Sequence, residues 1–141
     1  MSILKDKERE YVKKHLEKLT NPVKLVLFTQ EFECQFCKEA RELCEDISSL
    51  SGMVTIEVYD FTADKHKVEQ YDIKRIPAIV IEGDRDYGIR FYGIPTGYEF
   101  FTIIEAMIDV SNGKTGLTET TKDRVRSLTK PVHIQVFVTP T

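Results

Sequence analysis

The feature that most constrains this chain is the apolar run Val23-Lys24-Leu25-Val26-Leu27-Phe28, which leads through a polar connection, Thr29 to Glu33, into Cys34-Gln35-Phe36-Cys37. A mostly apolar stretch of this length, bounded by turn residues, is the pattern of a buried central strand. From Cys34 to about Leu50 the apolar spacing is helical, and Ser51-Gly52 ends it. Val54 to Phe61 then alternates as a second strand. A C-x-x-C alone serves zinc and redox sites alike. After a buried strand and at the opening of a helix within a βαβ unit, it reads as a redox pair.

That placement assigns different roles to the two thiols. Cys34 sits at or just before the helix start, where free N–H groups and the positive dipole end favour a thiolate. Such sites lower a cysteine pKa from about 8.5 to between roughly 3.5 and 7.5. Cys37, one turn deeper, shares a face with Ala40, Cys44 and Ile47 and should be shielded. Cys34 would attack a substrate disulfide, and Cys37 would resolve the mixed disulfide; the reverse cycle oxidises a dithiol. The expected activity is that of a thiol–disulfide oxidoreductase. Cys44 lies two helical turns beyond Cys37, about 10.5 Å, past the roughly 7 Å reach of a disulfide. It reads as a small buried hydrophobe. His15, His66 and His133 fall in separated polar stretches and read as surface residues.

The rest of the chain extends the α/β pattern. Residues 3–19 read as a helix with Val12, Leu16 and Leu19 on one stripe, stopped by Asn21-Pro22. Residues 64–72 suit a short helix. Ala78–Ile81 and Gly88–Tyr92 flank Gly83-Asp84-Arg85-Asp86 as a hairpin, and 98–110 form an amphipathic helix closed by Asn112-Gly113. The order is α-β-α-β-α-β-β-α, in which two strand–helix–strand units imply parallel pairing and the hairpin adds an antiparallel edge. Ile76-Pro77 directly precedes the third strand, where a proline needs a positional reason because it cannot donate to a sheet.

Composition narrows the setting. At 141 residues, 41% hydrophobic and 30% charged, the chain has room for one ordinary domain. A net charge of −3 offers no general attraction to nucleic acid or anionic membrane. The opening residues Met1–Glu8 are charged and lack a secretion signal, and nothing approaches the roughly 20 apolar residues of a membrane span. The expected location is the cytoplasm. Three cysteines are too few for a secreted disulfide scaffold. A structural zinc site needs four ligands, and no second Cys or His pair stands at ligand spacing. No resident metal or cofactor is expected. The alternative reading is a metal-binding module, an iron–sulfur cluster bridged between two chains by the C-x-x-C cysteines.

One internal repeat stands out. Glu10–Phe28 aligns without gaps on Glu119–Phe137, an offset of 109, with seven identities in 19 positions. Leu19-Thr20-Asn21-Pro22-Val23 returns as Leu128-Thr129-Lys130-Pro131-Val132, and Leu16, Leu25 and Leu27 recur as Val125, Ile134 and Val136. The tail thus looks like the opening helix and strand of a second copy.

Strand, Cys34-Gln35-Phe36-Cys37, helix, strand, helix, Arg75-Ile76-Pro77-Ala78, hairpin, Gly93 and helix together resemble the thioredoxin/glutaredoxin superfamily across residues 23–112. The resemblance implies a four-stranded mixed sheet flanked by helices, with an extra N-terminal helix and a C-terminal helix-strand appendage. It also implies a cis Ile76–Pro77 peptide facing the dithiol, with the backbone before the proline pairing with a bound substrate strand. The implied substrate-binding set is Gln35, Phe36, Ile76 and Pro77. Phe36, in front of the second cysteine, is closer to glutaredoxins, which usually carry Tyr there, than to thioredoxins, which carry Pro. With the repeat and the string Tyr92-Gly93-Ile94-Pro95-Thr96-Gly97-Tyr98-Glu99-Phe100, the chain resembles the protein disulfide oxidoreductases of thermophilic archaea and bacteria, which fuse two such units.

On that resemblance residues 1–115 are the first unit and 116–141 the opening of an incomplete second one. The chain would be a fragment ending just before a second dithiol, the counterpart of Cys34 falling near position 143. The strand Val132–Val138 would dock on the edge of the first sheet. The implied partners are protein disulfides or dithiols, with a flavin-containing thioredoxin reductase as electron donor. Two departures accompany the likeness. Thioredoxins place a buried Asp six residues before the first cysteine, where this chain has Phe28. The glutaredoxin glycine-rich turn is absent in its usual form, so a glutathione site is not implied.

Overall fold

The computed structural model describes residues 2–139, so Met1, Pro140 and Thr141 of the two expected units lie outside the described residues. The elements are α1 (Asp6–Leu16), β1 (Val23–Thr29), α2 (Cys37–Ser49), β2 (Val54–Asp60), α3 (Lys65–Gln70), β3 (Ala78–Glu82), β4 (Asp86–Tyr92), α4 (Tyr98–Asn112) and α5 (Glu119–Arg126). The four strands form one mixed sheet in the order β2-β1-β3-β4. Strand β1 pairs in parallel with β2 and antiparallel with β3, and β3 pairs antiparallel with β4.

Alternation along β1 and β3 divides the core into two layers. Leu25, Leu27, Ile79 and Ile81 face one side, where Ala40, Leu43, Cys44 and Ile47 of α2 meet Ile103, Ile104 and Met107 of α4 and Val12 and Leu16 of α1. Val26, Phe28, Ala78 and Val80 face the other, against Tyr71 and Ile73 with Val68 of α3 beside them. Strand β1 is buried on both faces, as its unbroken apolar run foretells.

Parallel pairing is confined to the first strand–helix–strand unit; the second is not parallel. Helix α3 has six residues, about 9 Å of rise, against the roughly 23 Å of a seven-residue strand. It does not carry the chain back along the sheet, so β3 starts at the end where β2 stops and runs antiparallel to β1. This direction sets the site. The register Phe28 to Ala78 to Tyr92 brings the outflow of β1, the inflow of β3 and the outflow of β4 to one end of the sheet.

Helix α1 is shorter than the expected 3–19 because its flanks are held by other means. At its start, Asp46 Oδ2 on α2 accepts hydrogen bonds from the Ile3 N–H at 2.6 Å, the Leu4 N–H at 3.0 Å and the Ser2 hydroxyl at 2.9 Å, which seats Leu4 in the core. The Glu8 carboxylate accepts from the Lys5 N–H at 2.8 Å, satisfying a free donor of the first turn. Beyond its end, the buried Ser111 hydroxyl clips the turn before β1, accepting from the Thr20 and Asn21 N–H groups and donating to the Asn21 carbonyl. Helix α4 closes on Gly113 at φ 62°, the left-handed position that glycine takes most easily.

The appendage is half as expected. Helix α5 forms, with the Thr118 hydroxyl accepting from the Thr121 N–H at 3.2 Å. The strand expected over Val132–Val138 does not: residues 131–139 carry no strand, and Val132, Ile134, Val136, Phe137 and Val138 are all exposed. Nor does this segment add to the edge of the sheet. Strands β2 and β4 remain the two edges of the sheet, each paired on one side only, and a segment that pairs with neither has no ladder to hold it extended.

Candidate active site

Cys34 and Cys37 are joined as a disulfide, their Cα atoms 5.6 Å apart. Helix α2 begins at Cys37 with Phe36 as its N-cap residue, so Cys34 stands in the turn ahead of the helix rather than inside it. Cys34 is half-buried, whereas Cys37 is 4% exposed and faces the core with Ala40, Cys44 and Ile47. Gln35 and Phe36 between them are exposed. The connection that delivers Cys34 is shaped by its own groups. Gln30 Nε2 donates to the Phe32 carbonyl at 2.6 Å, and Glu33 takes a left-handed φ of 56° immediately before the cysteine.

Ile76–Pro77 is cis, as the resemblance implied, and it lies at the same end of the sheet because Ala78 pairs with Phe28. Ile76 is half-buried and Pro77 buried. The Pro77 carbonyl accepts from the Gly93 N–H at 2.9 Å, which ties the inflow of β3 to the loop after β4. Beside them the Arg75 guanidinium lies over the Tyr92 ring, 5.5 Å from its centroid. All the expected site residues therefore gather at one end of the sheet, some from the β1–α2 connection and some from the α3–β3 connection.

No acid occupies the Phe28 position, and the ring there is wholly buried. Glu31 and Glu33 are exposed. Sequence reasoning overlooked Glu39, two residues past Cys37, whose Oε2 is buried and finds no hydrogen-bond donor among the described residues. Its place in the first turn of α2 was the available signal. Cys44 is the free cysteine among the described residues; burial first, and then the neighbouring charge of Glu45, push its thiol up to about 12. It is a packing residue at neutral pH. Among the described residues no group of three or more His, Cys, Asp or Glu side chains is placed to hold a metal ion, and no helix is long and apolar enough to cross a membrane. A cleft of about 340 Å³ lies nearby, lined by Leu43, Ile94, Pro95 and Phe100 among others, but neither cysteine lines it.

This architecture is the thioredoxin-like fold, and the comparisons with known proteins agree. A protein disulfide oxidoreductase from Aeropyrum pernix superposes with a TM-score of 0.79 at 23% identity, over 90% of this chain and 57% of that one. The NTD_N/C domain of the alkylhydroperoxide reductase AhpF from Enterococcus faecalis does so with a TM-score of 0.80 at 23% identity, over 90% and 62%. Among curated proteins, the F subunit of alkyl hydroperoxide reductase from Staphylococcus epidermidis is 28% identical over 104 residues, 73% of this chain and 18% of that protein. NADH dehydrogenase of Bacillus subtilis is 22% identical over 117 residues, 83% and 21% respectively. The chain thus spans about a fifth of the length of these curated relatives. No protein-family model matches the sequence.

Proposed function

We propose that this chain is a protein thiol–disulfide oxidoreductase, with Cys34 as the nucleophile and Cys37 as the resolving thiol. The observation that carries the reading is the asymmetry of the pair: a half-buried sulfur-bearing residue ahead of α2, joined to one that is 4% exposed within it. In the reduced chain the Cys34 thiolate attacks one sulfur of a substrate disulfide. The substrate S–S bond breaks, a mixed disulfide forms through Cys34, and the departing substrate sulfur takes a proton. Cys37 loses its proton and attacks Cys34, which releases the second substrate thiol and regenerates the Cys34–Cys37 disulfide. Two electrons and two protons have then passed to the substrate.

In this reading Gln35, Phe36, Ile76 and Pro77 contact the substrate; the reading is supported by the register of Phe28 with Ala78, which puts the α3–β3 connection at the end of the sheet from which Cys34 follows. A flavin-containing thioredoxin reductase is the proposed electron donor and the cytoplasm the proposed location. Residues 116–141 are read as the opening of a second unit of the same kind. Support comes from α5, which stands where the repeat places α1, and from exposed apolar positions that match buried ones. Val125, Leu128, Ile134, Val136 and Phe137 are exposed where Leu16, Leu19, Leu25, Leu27 and Phe28 are buried.

The test is turnover of a protein disulfide such as insulin with dithiothreitol or a thioredoxin reductase as donor. Cys34→Ser should abolish it. Activity that survives this substitution would refute the proposal.

A further inference from the structure

The charges around the dithiol are unevenly matched. Of the cations on the connections and helix that frame Cys34, Lys38 pairs with Glu42 at 4.0 Å, Arg41 with Glu45 at 2.8 Å and Lys74 with Asp72, and Arg75 lies over the Tyr92 ring. Glu31 and Glu33 are exposed and have no ion pair among the described residues. Between them Phe32 is 73% exposed, and Phe36, between the two cysteines in sequence, is 44% exposed. The approach to Cys34 from β1 therefore offers two unmatched carboxylates flanking one exposed phenyl ring in sequence, in a connection shaped by the bond from Gln30 to the Phe32 carbonyl. Charge of one sign next to exposed aromatic area is a recognition surface for a partner of opposite charge with apolar side chains.

We infer that Glu31 and Glu33, with Phe32, select the substrates of this site: disulfides whose cysteine is flanked by Lys or Arg together with an apolar side chain. The inference rests on the dithiol exchange proposed above. An incoming cationic segment would lay its ammonium or guanidinium group on the Glu31 and Glu33 carboxylates and its apolar side chain on Phe32 and Phe36. An acidic segment would meet repulsion at the same place. Exposed ion pairs shift an equilibrium by factors of about 1.4 to 5 each. Each carboxylate draws in a cation and repels an anion, so two of them should separate cationic from anionic segments by about fourfold or more at low salt.

The experiment uses the full reduced chain and two short peptides, each closed by an internal disulfide and identical except for Lys or Glu beside both cysteines. Hydroxyethyl disulfide serves as an uncharged small substrate. Each peptide rate is divided by the rate of dithiothreitol on the same peptide, which removes the effect of the flanking charge on the disulfide itself. The normalised Lys-to-Glu ratio should be about fourfold or more at 10 mM salt and under about twofold at 1 M, where screening acts within about 3 Å. It should likewise fall under about twofold in the E31Q/E33Q variant, while F32A slows both peptides by a common factor. Equal normalised rates for the two peptides, or a ratio that survives in E31Q/E33Q, overturn the selectivity while the exchange reading stands. If neither peptide nor hydroxyethyl disulfide turns over, the exchange reading fails and the selectivity falls with it.

Discussion

Substituting Ser111 by Ala tests the clip that fastens the end of the sheet remote from the dithiol. The Ser111 hydroxyl, 3% exposed in residue terms, accepts from the Thr20 N–H at 3.0 Å and the Asn21 N–H at 2.9 Å, and donates to the Asn21 carbonyl at 2.6 Å. One oxygen thereby satisfies three backbone groups in the turn between α1 and β1. Each such bond contributes about 0.5–1.5 kcal/mol net, and a stranded buried partner about 1–3 kcal/mol. Thr20 and Asn21 themselves are exposed, so water reaches part of what the hydroxyl leaves behind. The expected loss is about 2–3 kcal/mol, a large share of a total of about 5–15 kcal/mol. In thermal melts it should lower Tm by about 6–12 °C. Thr20→Val removes an exposed residue's hydroxyl that donates to Asn112 Oδ1 at 2.8 Å and, over longer distances, to the Ser111 carbonyl at 3.4 Å while accepting from Asn21 Nδ2 at 3.3 Å; it should lose under about 1 kcal/mol, which calibrates the comparison. Because the turn leads into Val23, at the opposite end of β1 from Cys34, exchange activity at 25 °C should persist in Ser111→Ala. Urea unfolding that gives a Ser111→Ala loss under about 0.5 kcal/mol, or no larger than that of Thr20→Val, would refute the reasoning.

Further expectations follow from the same geometry. Cys37→Ser should accumulate mixed disulfides through Cys34 on non-reducing gels, whereas Cys34→Ser should trap almost none; the reverse pattern would exchange their roles. In the folded, reduced chain iodoacetamide should modify Cys34 first and leave Cys44 untouched, as peptide mass mapping can check, since burial holds the Cys44 thiol at about 12. Asp46→Asn should loosen the N-terminal segment by about 1–2 kcal/mol at neutral pH. Burial alone would raise the Asp46 carboxyl. Bonds from the Leu4 N–H, the Ser2 hydroxyl and the Ile3 N–H, with the charge of Arg9, outweigh it and hold the group below its ordinary value. Its stabilisation is therefore present above the unfolded value of about 3.9 and lost as pH falls through the lower folded one, so acid melts of the wild type and Asp46→Asn should converge at low pH. Deleting residues 131–141 should leave urea stability within about 0.5 kcal/mol, because the described part of that segment joins no sheet and its apolar side chains are exposed.

Much of this molecule is written in short-range pattern, and much of the site is not. The run Val23–Phe28 announces a doubly buried strand because burial on both faces removes alternation. The spacing Cys37, Ala40, Cys44, Ile47 announces the inward stripe of α2, and with it which thiol is shielded. Those readings depend on periods of two and 3.6 residues, which a sequence displays directly. The direction of β3 does not. Whether residues 61–77 return the chain along the sheet or turn it at one end depends on the reach of a six-residue helix against the length of a strand. Only that outcome sets Pro77 at the Cys34 end of the sheet. The start of α2 at Cys37, the end of α1 at Leu16 and the buried oxygen of Glu39 are likewise absent from the spacing of apolar residues. Residues 132–138 show the same division from the other side. Their apolar alternation copies β1, yet a strand is a relation between two segments, and residues 131–139 pair with neither β2 nor β4, the two edges of the sheet.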